Sequence, residues 1–249
     1  MSTTARTAGI ALAYHRLAGN APVVVFCPGY NSDMTGTKAV HLEALCAARG
    51  QAFLRFDYSG HGASGGAFAD GSIGDWAADA AHVIDVAAAG QDIVLVGSSM
   101  GGWISLLLAP CLGARLRGLV LVAPAPDFTE LLIRPALTPQ ALAELAANGV
   151  IHRPSDYGPP VPLTAKLLQD GARHQVLGGP IAITAPVRIL HGMVDEAVPY
   201  ALSLRLVEHL ASHDVQLTLI KDGEHRLSRP AELAMLGAAV AGLLGQDGG

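Results

Sequence analysis

Aromatic residues make up only 5% of this 249-residue chain and charged residues only 15%. Low charge beside 51% hydrophobic residues excludes a self-repelling disordered chain and leaves ample apolar side chain for a core. No cluster of lysine or arginine occurs and the formal charge is −5, so nucleic acid is not an expected partner. Cysteine is also sparse. Cys27, Cys46 and Cys111 are odd in number and widely spaced, with no pair at zinc-ligand spacing. Buried, inert thiols in a reducing compartment are the expectation. Long hydrophobic runs are missing too. The longest apolar stretch, Leu233 to Leu244, is too short to span a bilayer and is rich in Ala and Gly, which suits a packed helix. No transmembrane segment is expected. The first residues, MSTTARTAG, hold no apolar core for a secretory signal, and a cytoplasmic location is expected.

What the chain does have is an alternation of short apolar runs with helical patterns. Ile10 to Leu17 reads as the first strand. Further strands are expected at Val23–Cys27, Ala52–Phe56, Ile93–Val96, Leu119–Ala123, Val187–Leu190 and Val215–Ile220. Most are unbroken Val/Ile/Leu-rich runs, as in strands buried on both faces of a parallel sheet. Helical patterns lie near 37–49, 74–89, 100–109, 201–211 and 230–244. This order predicts an α/β fold with a doubly wound, mostly parallel sheet. From Pro126 to Ala185 the rhythm breaks and no strong buried strand is expected. Thr138-Pro139 is a helix start, Asn148-Gly149 a helix stop, and another helical stretch near 163–173 follows Pro154, Pro159, Pro160 and Pro162. The predicted organisation is a core of residues 1–125 and 186–249 with a helical cap inserted over 126–185.

G-x-S-x-G occurs twice, around Ser64 and around Ser99. A nucleophile elbow needs a buried strand, a sharp turn that glycines permit, and then a helix whose N-terminus favours developing negative charge. Ser99 has this context, with Asp92-Ile93-Val94-Leu95-Val96 before it and an apolar helical run after it. Ser64 stands in a Gly-rich loop and is expected to be structural, as is Ser98. Asp195 and His225 follow later strands, in the order nucleophile, acid, base, at the carboxyl edge where sites gather in this topology. His225 is expected to take the Ser99 proton and Asp195 to orient the imidazole. Asp127, after the strand Leu119–Ala123, is the rival acid. His174, His209 and His213 are expected to be solvated, and Asp222 and Glu224 to be surface charges. The oxyanion hole is assigned to the backbone N–H groups of Met100, which follows the nucleophile, and Tyr30, in the loop Pro28-Gly29-Tyr30. Phe128, Leu131 and Leu132, with Trp103, are the expected substrate-pocket residues. No metal cluster is recognisable, and Gly60-His61-Gly62 opens no helix of a dinucleotide unit, so no cofactor is expected.

Pro28-Gly29-Tyr30, Gly36-Thr37-Lys38-Ala39, Phe56-Asp57-Tyr58-Ser59-Gly60, Gly97-Ser98-Ser99-Met100-Gly101-Gly102-Trp103, His191-Gly192-Met193-Val194-Asp195 and His225-Arg226 stand in an order that resembles one family. It is the α/β-hydrolase family of the mitochondrial mycophenolic acid acyl-glucuronide esterase, also described as a palmitoyl-protein thioesterase. The likeness runs from about residue 20 to 244. It implies an α/β-hydrolase fold, with Ser99 as nucleophile, Asp195 as acid and His225 as base. It also implies cofactor-free cleavage of acyl esters and thioesters. The Ala/Gly/Leu-rich composition suits a bacterial cytosolic relative. The expected function is therefore a serine hydrolase acting through an acyl-enzyme on a small-molecule or acylated substrate. Two alternatives differ in kind. One is an aminopeptidase on the same fold, which needs an acidic anchor such as Glu130, Glu144, Asp156 or Asp170. The other is a non-catalytic binding protein on the same fold.

Overall fold

The computed structural model describes residues 1–5, 9–155 and 158–245, without the side chains of 154, 155, 158 and 159. In chain order the elements are β1 (Ser2–Ala5), β2 (Ala11–Leu17), β3 (Asn20–Cys27), α1 (Thr37–Ala48), β4 (Gln51–Phe56), α2 (Ile73–Ala87), β5 (Ile93–Ser98), α3 (Met100–Leu112) and β6 (Leu116–Val122). The turn α4 (Arg134–Ala136), α5 (Pro139–Asn148), β7 (Val150–Ser155), β8 (Gly158–Thr164), α6 (Ala165–Arg173), β9 (Val187–Gly192), α7 (Ala201–His209), β10 (Val215–Ile220) and α8 (Pro230–Leu244) complete it.

Eight strands form one sheet in the order β1-β2-β4-β3-β5-β6-β9-β10. β3, β4, β5, β6, β9 and β10 run parallel, and β1 and β2 add an antiparallel edge. The chain winds from β3 to β4 on one side, then returns to place β5 on the other. That reversal opens a crevice at the carboxyl ends of β3 and β5. Alternate residues of each central strand serve two cores. Val25, Leu95, Leu121 and Ile189 share one with residues of α2 and α3. Val24, Val94, Val96, Val120 and Val122 share the other with residues of α1 and α8. Burial on both faces explains the unbroken apolar runs. β10 differs. It closes the sheet edge and is only partly buried, in keeping with its Val-Gln-Leu-Thr alternation. The first strand is Ser2–Ala5, ahead of the one expected to begin the sheet; short and polar, it carries no apolar signature. α8 is the packed Ala-rich helix expected at the end. Among the described residues no helix is long and apolar enough to cross a membrane.

Between β6 and β9 the helix signals act as read. Thr138 Oγ1 accepts from Ala141 N–H at 3.1 Å with Pro139 behind it, and Gly149 ends α5 in the left-handed region at φ 73°. The same interval also holds the antiparallel hairpin β7–β8, which the prolines conceal. A two-stranded ribbon has two open edges, so proline's missing N–H breaks no ladder there.

Candidate active site

β5 runs into α3 through Ser99, which lies in the left-handed region at φ 54°. That conformation costs a non-glycine residue roughly 1 kcal/mol or more. It is held by Ser99 N–H donating to Val122 O at 2.9 Å, and by Gly102 and Ala125 N–H donating to Ser99 O at 2.9 and 3.1 Å. Gly101 is required by a close approach: a Cβ there would lie 2.0 Å from Cys27 O and 2.5 Å from Pro28 O. Ser64, by contrast, is structural. Its Oγ accepts from Ala13 N–H at 2.8 Å and donates to Asp57 O at 2.7 Å.

Asp195 and His225 sit in the loops after β9 and β10. The two loops touch: a Cβ on Gly192 would lie 2.1 Å from Gly223 O. Val194 N–H donates to Gly223 O at 3.0 Å and Met193 N–H to Ile220 O at 2.8 Å. The base loop is bracketed by Arg229 Nη1 donating to Asp222 Oδ2 at 2.9 Å, so the exposed Asp222 is more than solvated charge. His225 Nδ1 donates to Asp195 Oδ2 at 2.7 Å, and His225 Nε2 lies 3.0 Å from Ser99 Oγ, oriented to accept its proton. Asp195 Oδ1 accepts from Ala197 and Val198 N–H at 2.9 and 2.8 Å. Burial alone would raise this carboxyl. Hydrogen bonds from His191 and His225, the His225 charge and Val198 N–H outweigh it and hold the group well below the usual carboxylate range.

The rival acid is engaged elsewhere. Asp127 accepts from Val176 and Leu177 N–H, both at 2.8 Å, stapling that loop to the end of β6. Burial pushes its carboxyl up despite those two N–H groups. His191 opens the segment His191-Gly192-Met193-Val194-Asp195, where the sequence assigns it no role, yet it reaches the site. It is fully buried, with Nδ1 2.7 Å from Ser203 Oγ and Nε2 2.9 Å from Val198 O and 3.3 Å from Asp195 Oδ2.

Ser99, Met100 and His225 line a cavity of about 740 Å³, together with Gly29 and Tyr30. Met100 is the first residue of α3, where helix geometry leaves the N–H without an internal partner. The Tyr30 phenol donates to Pro162 O at 3.1 Å, and its ring packs edge-on against Phe68 and Phe128, with centroids 4.9 and 5.8 Å apart. Burial pushes this phenol above its ordinary range.

Phe128 and Leu132 line this cavity, joined by Ile133, Ala136, Val161 and Val198. Leu131 does not. Successive residues of the helical segment Thr129–Ile133 point in different directions: Leu131 and Leu132 both pack against the core, and of the two Leu132 also faces the cavity. Trp103 is also absent from the cavity wall. It is buried beneath, with Nε1 donating to His174 O at 3.0 Å and its ring against Phe128.

Polar groups complete the lining, among them Asn31, Ser32, Thr37, Lys38, Arg226 and Ser228. Burial and the Arg226 charge push the Lys38 ammonium down to about 8, and its Nζ donates to Arg226 O at 2.5 Å. Among the described residues the acids facing the cavity are Asp33 and Glu196. Glu130 pairs with Arg134, Glu144 is exposed, and Asp170 accepts from Gly74 N–H and Arg173. Asp156 lies outside the described residues.

The cysteines divide, Cys27 and Cys46 buried and Cys111 exposed, against the expectation that all are enclosed. Cys111 falls on the outer side of the last turn of α3.

The profile of the family described as "Serine aminopeptidase, S33" matches residues 19–156. The mouse protein described as "Palmitoyl-protein thioesterase ABHD10, mitochondrial" is 39% identical over 227 residues, covering 90% of this chain and 76% of that one. The mitochondrial description of this relative contrasts with the cytoplasmic expectation for this chain. A crystal structure of a putative hydrolase from Agrobacterium vitis S4 superposes with TM-score 0.92 at 44% identity, covering 98% of this chain and 97% of that one. The structure of alpha/beta hydrolase domain-containing protein 10 from mouse gives TM-score 0.89 at 36% identity, with coverage of 98% and 97%. The chain belongs to the α/β-hydrolase family of the palmitoyl-protein thioesterase ABHD10 and is an enzyme of the esterase and thioesterase class.

Proposed function

We propose that the chain cleaves acyl esters or thioesters by covalent catalysis at Ser99. As Ser99 Oγ bonds to the carbonyl carbon, His225 Nε2 takes its proton, and Asp195 holds the Nδ1–H tautomer and stabilises the imidazolium. The carbonyl oxygen becomes an oxyanion received by the N–H groups of Tyr30 and Met100. The C–S or C–O bond then breaks and the leaving group takes the proton from His225, which leaves the acyl group on Ser99. A water molecule deprotonated by His225 releases the acid and restores Ser99. The observation that carries this reading is the line from Asp195 Oδ2 through His225 to Ser99 Oγ, 2.7 and 3.0 Å long, opening on the cavity.

The acyl group is an apolar chain lodged against Phe128, Leu132, Ile133 and Val161. The thioesterase description of the mouse relative supports the same class. Each buried methylene adds about 0.8 kcal/mol at most. Residues 126–185 act as the cap over a core of 1–125 and 186–249, and supply this apolar wall.

The test is a rate panel of nitrophenyl esters, acyl-CoA thioesters and aminoacyl anilides, with fluorophosphonate labelling followed by peptide mapping. Esters or thioesters should be cleaved fastest and the adduct should sit on Ser99 alone. Ser99→Ala should lose on the order of 10⁶-fold in turnover. An adduct on Ser64 would overturn the nucleophile, and fastest cleavage of anilides would turn the reading to an aminopeptidase.

A further inference from the structure

Two imidazoles approach Asp195, and the reaction above uses one of them. His191 and Ser203 are both fully buried. Their hydrogen-bonding leaves one tautomer. Val198 O, 2.9 Å from His191 Nε2, can only accept, and Asp195 Oδ2 stands 3.3 Å from the same nitrogen. Nε2 therefore carries the hydrogen, and Nδ1 accepts from the Ser203 hydroxyl at 2.7 Å. The opposite tautomer would aim a lone pair at two acceptors.

We propose that His191 is a positioning residue for the hydrolase, its Nε2–H shared between Val198 O and Asp195 Oδ2 and its Nδ1 held by the Ser203 hydroxyl. The inference rests on the assignment of Asp195 and His225 given under the proposed function. One ring ties together the carboxylate, the far end of the acid loop at Val198, and α7 at Ser203. Oδ2 is also the oxygen that receives His225 Nδ1–H, so His191 sets both its direction and the share of its charge left for His225. His191 contributes strongly to holding Asp195 ionised.

The test compares the pH dependence of kcat and kcat/KM on a nitrophenyl ester for the wild type, His191→Leu, His191→Gln, Asp195→Asn and the His191→Leu/Asp195→Asn double variant. His191→Leu should lower kcat by roughly 10- to 100-fold with little change in KM, because a displacement of about 1 Å costs that much. With all of the Oδ2 charge facing His225, the acidic limb of the profile should move to higher pH by about half a unit. His191→Gln, whose amide N–H reaches the Nε2 position, should recover most of the rate. His191→Leu should add little to Asp195→Asn, since both remove one interaction. Equal losses in the Leu and Gln variants, an unmoved acidic limb, or full additivity with Asp195→Asn would overturn the proposal. A fast Asp195→Asn would sink the underlying assignment instead. A slow Asp195→Asn beside a fast His191→Leu would sink only this inference. Should His191→Leu not fold, ring ¹⁵N spectra of the wild type decide: His191 should show the Nε2–H tautomer, and an Nδ1–H tautomer overturns the proposal.

Discussion

Replacing Gly101 by alanine puts one methyl group where the first turn of α3 passes the end of β3. The new Cβ would stand 2.0 Å from Cys27 O and 2.5 Å from Pro28 O. Ordinary contact begins near 3.4 Å, so the helix turn and the strand end must part by about 1.4 Å. Both obstacles are backbone carbonyls, and no side-chain rotation relieves them. The displacement falls on the proposed oxyanion donors, since Met100 adjoins Gly101 on the helix and Tyr30 follows Pro28 closely on the loop. Parting them removes one N–H from the position the oxyanion takes, which costs about 10²- to 10³-fold in kcat. Overpacking should also cost about 1–3 kcal/mol of stability. The assay is kcat on a nitrophenyl ester, with folded fraction monitored by near-UV circular dichroism and urea titration. Gly178→Ala is the control: a Cβ there meets nothing within 4 Å, and its backbone is not left-handed. A folded Gly101→Ala enzyme turning over within about threefold of wild type would refute the argument, because a lost donor costs far more than that.

Asp195→Asn should lower turnover by roughly 10⁴-fold, whereas Asp127→Asn should mainly loosen the Val176–Leu177 loop and appear in urea titration rather than in kcat. The depressed Asp195 carboxyl contributes stability above the unfolded-state value of about 3.9 that is lost as pH falls through the folded-state value, so acid unfolding of Asp195→Asn should show a shallower decline below pH ~4. Burial pushes the Cys27 and Cys46 thiols up to about 12, so a thiol reagent at neutral pH should modify Cys111 alone until the protein unfolds; rapid native labelling of Cys27 would contradict the fold. Leu132→Ala should flatten the gain in kcat/KM between four- and eight-carbon acyl chains, each methylene being worth about 0.8 kcal/mol at most, and an unchanged gradient would remove Leu132 from the acyl wall.

Local chemistry determined much of this protein by itself. Short apolar runs alternating with helical patterns read as strands buried on both faces, so β3 through β6 and β9 are legible from neighbouring residues. Thr138-Pro139 and Asn148-Gly149 start and stop α5 because caps act within one turn. The elbow at Ser99 is legible for the same reason: the strand, the glycines and the helix that it needs are all neighbours in the chain. Other features depend on partners far away in sequence. Asp127 and Asp195 both follow strands at one sheet edge, and only the packing of the loop at Val176 and Leu177 takes the first carboxylate and leaves the second for His225. Leu131 and Leu132 are adjacent and alike, and the direction of one helical turn separates them. β1 and the β7–β8 hairpin carry no apolar period, so their strand character comes from the neighbour that supplies the hydrogen bonds. The bonds of His191 are invisible in sequence for the same physical reason: a side chain's partners are set where distant segments meet, and Val198 and Ser203 acquire their positions only when the acid loop closes onto α7.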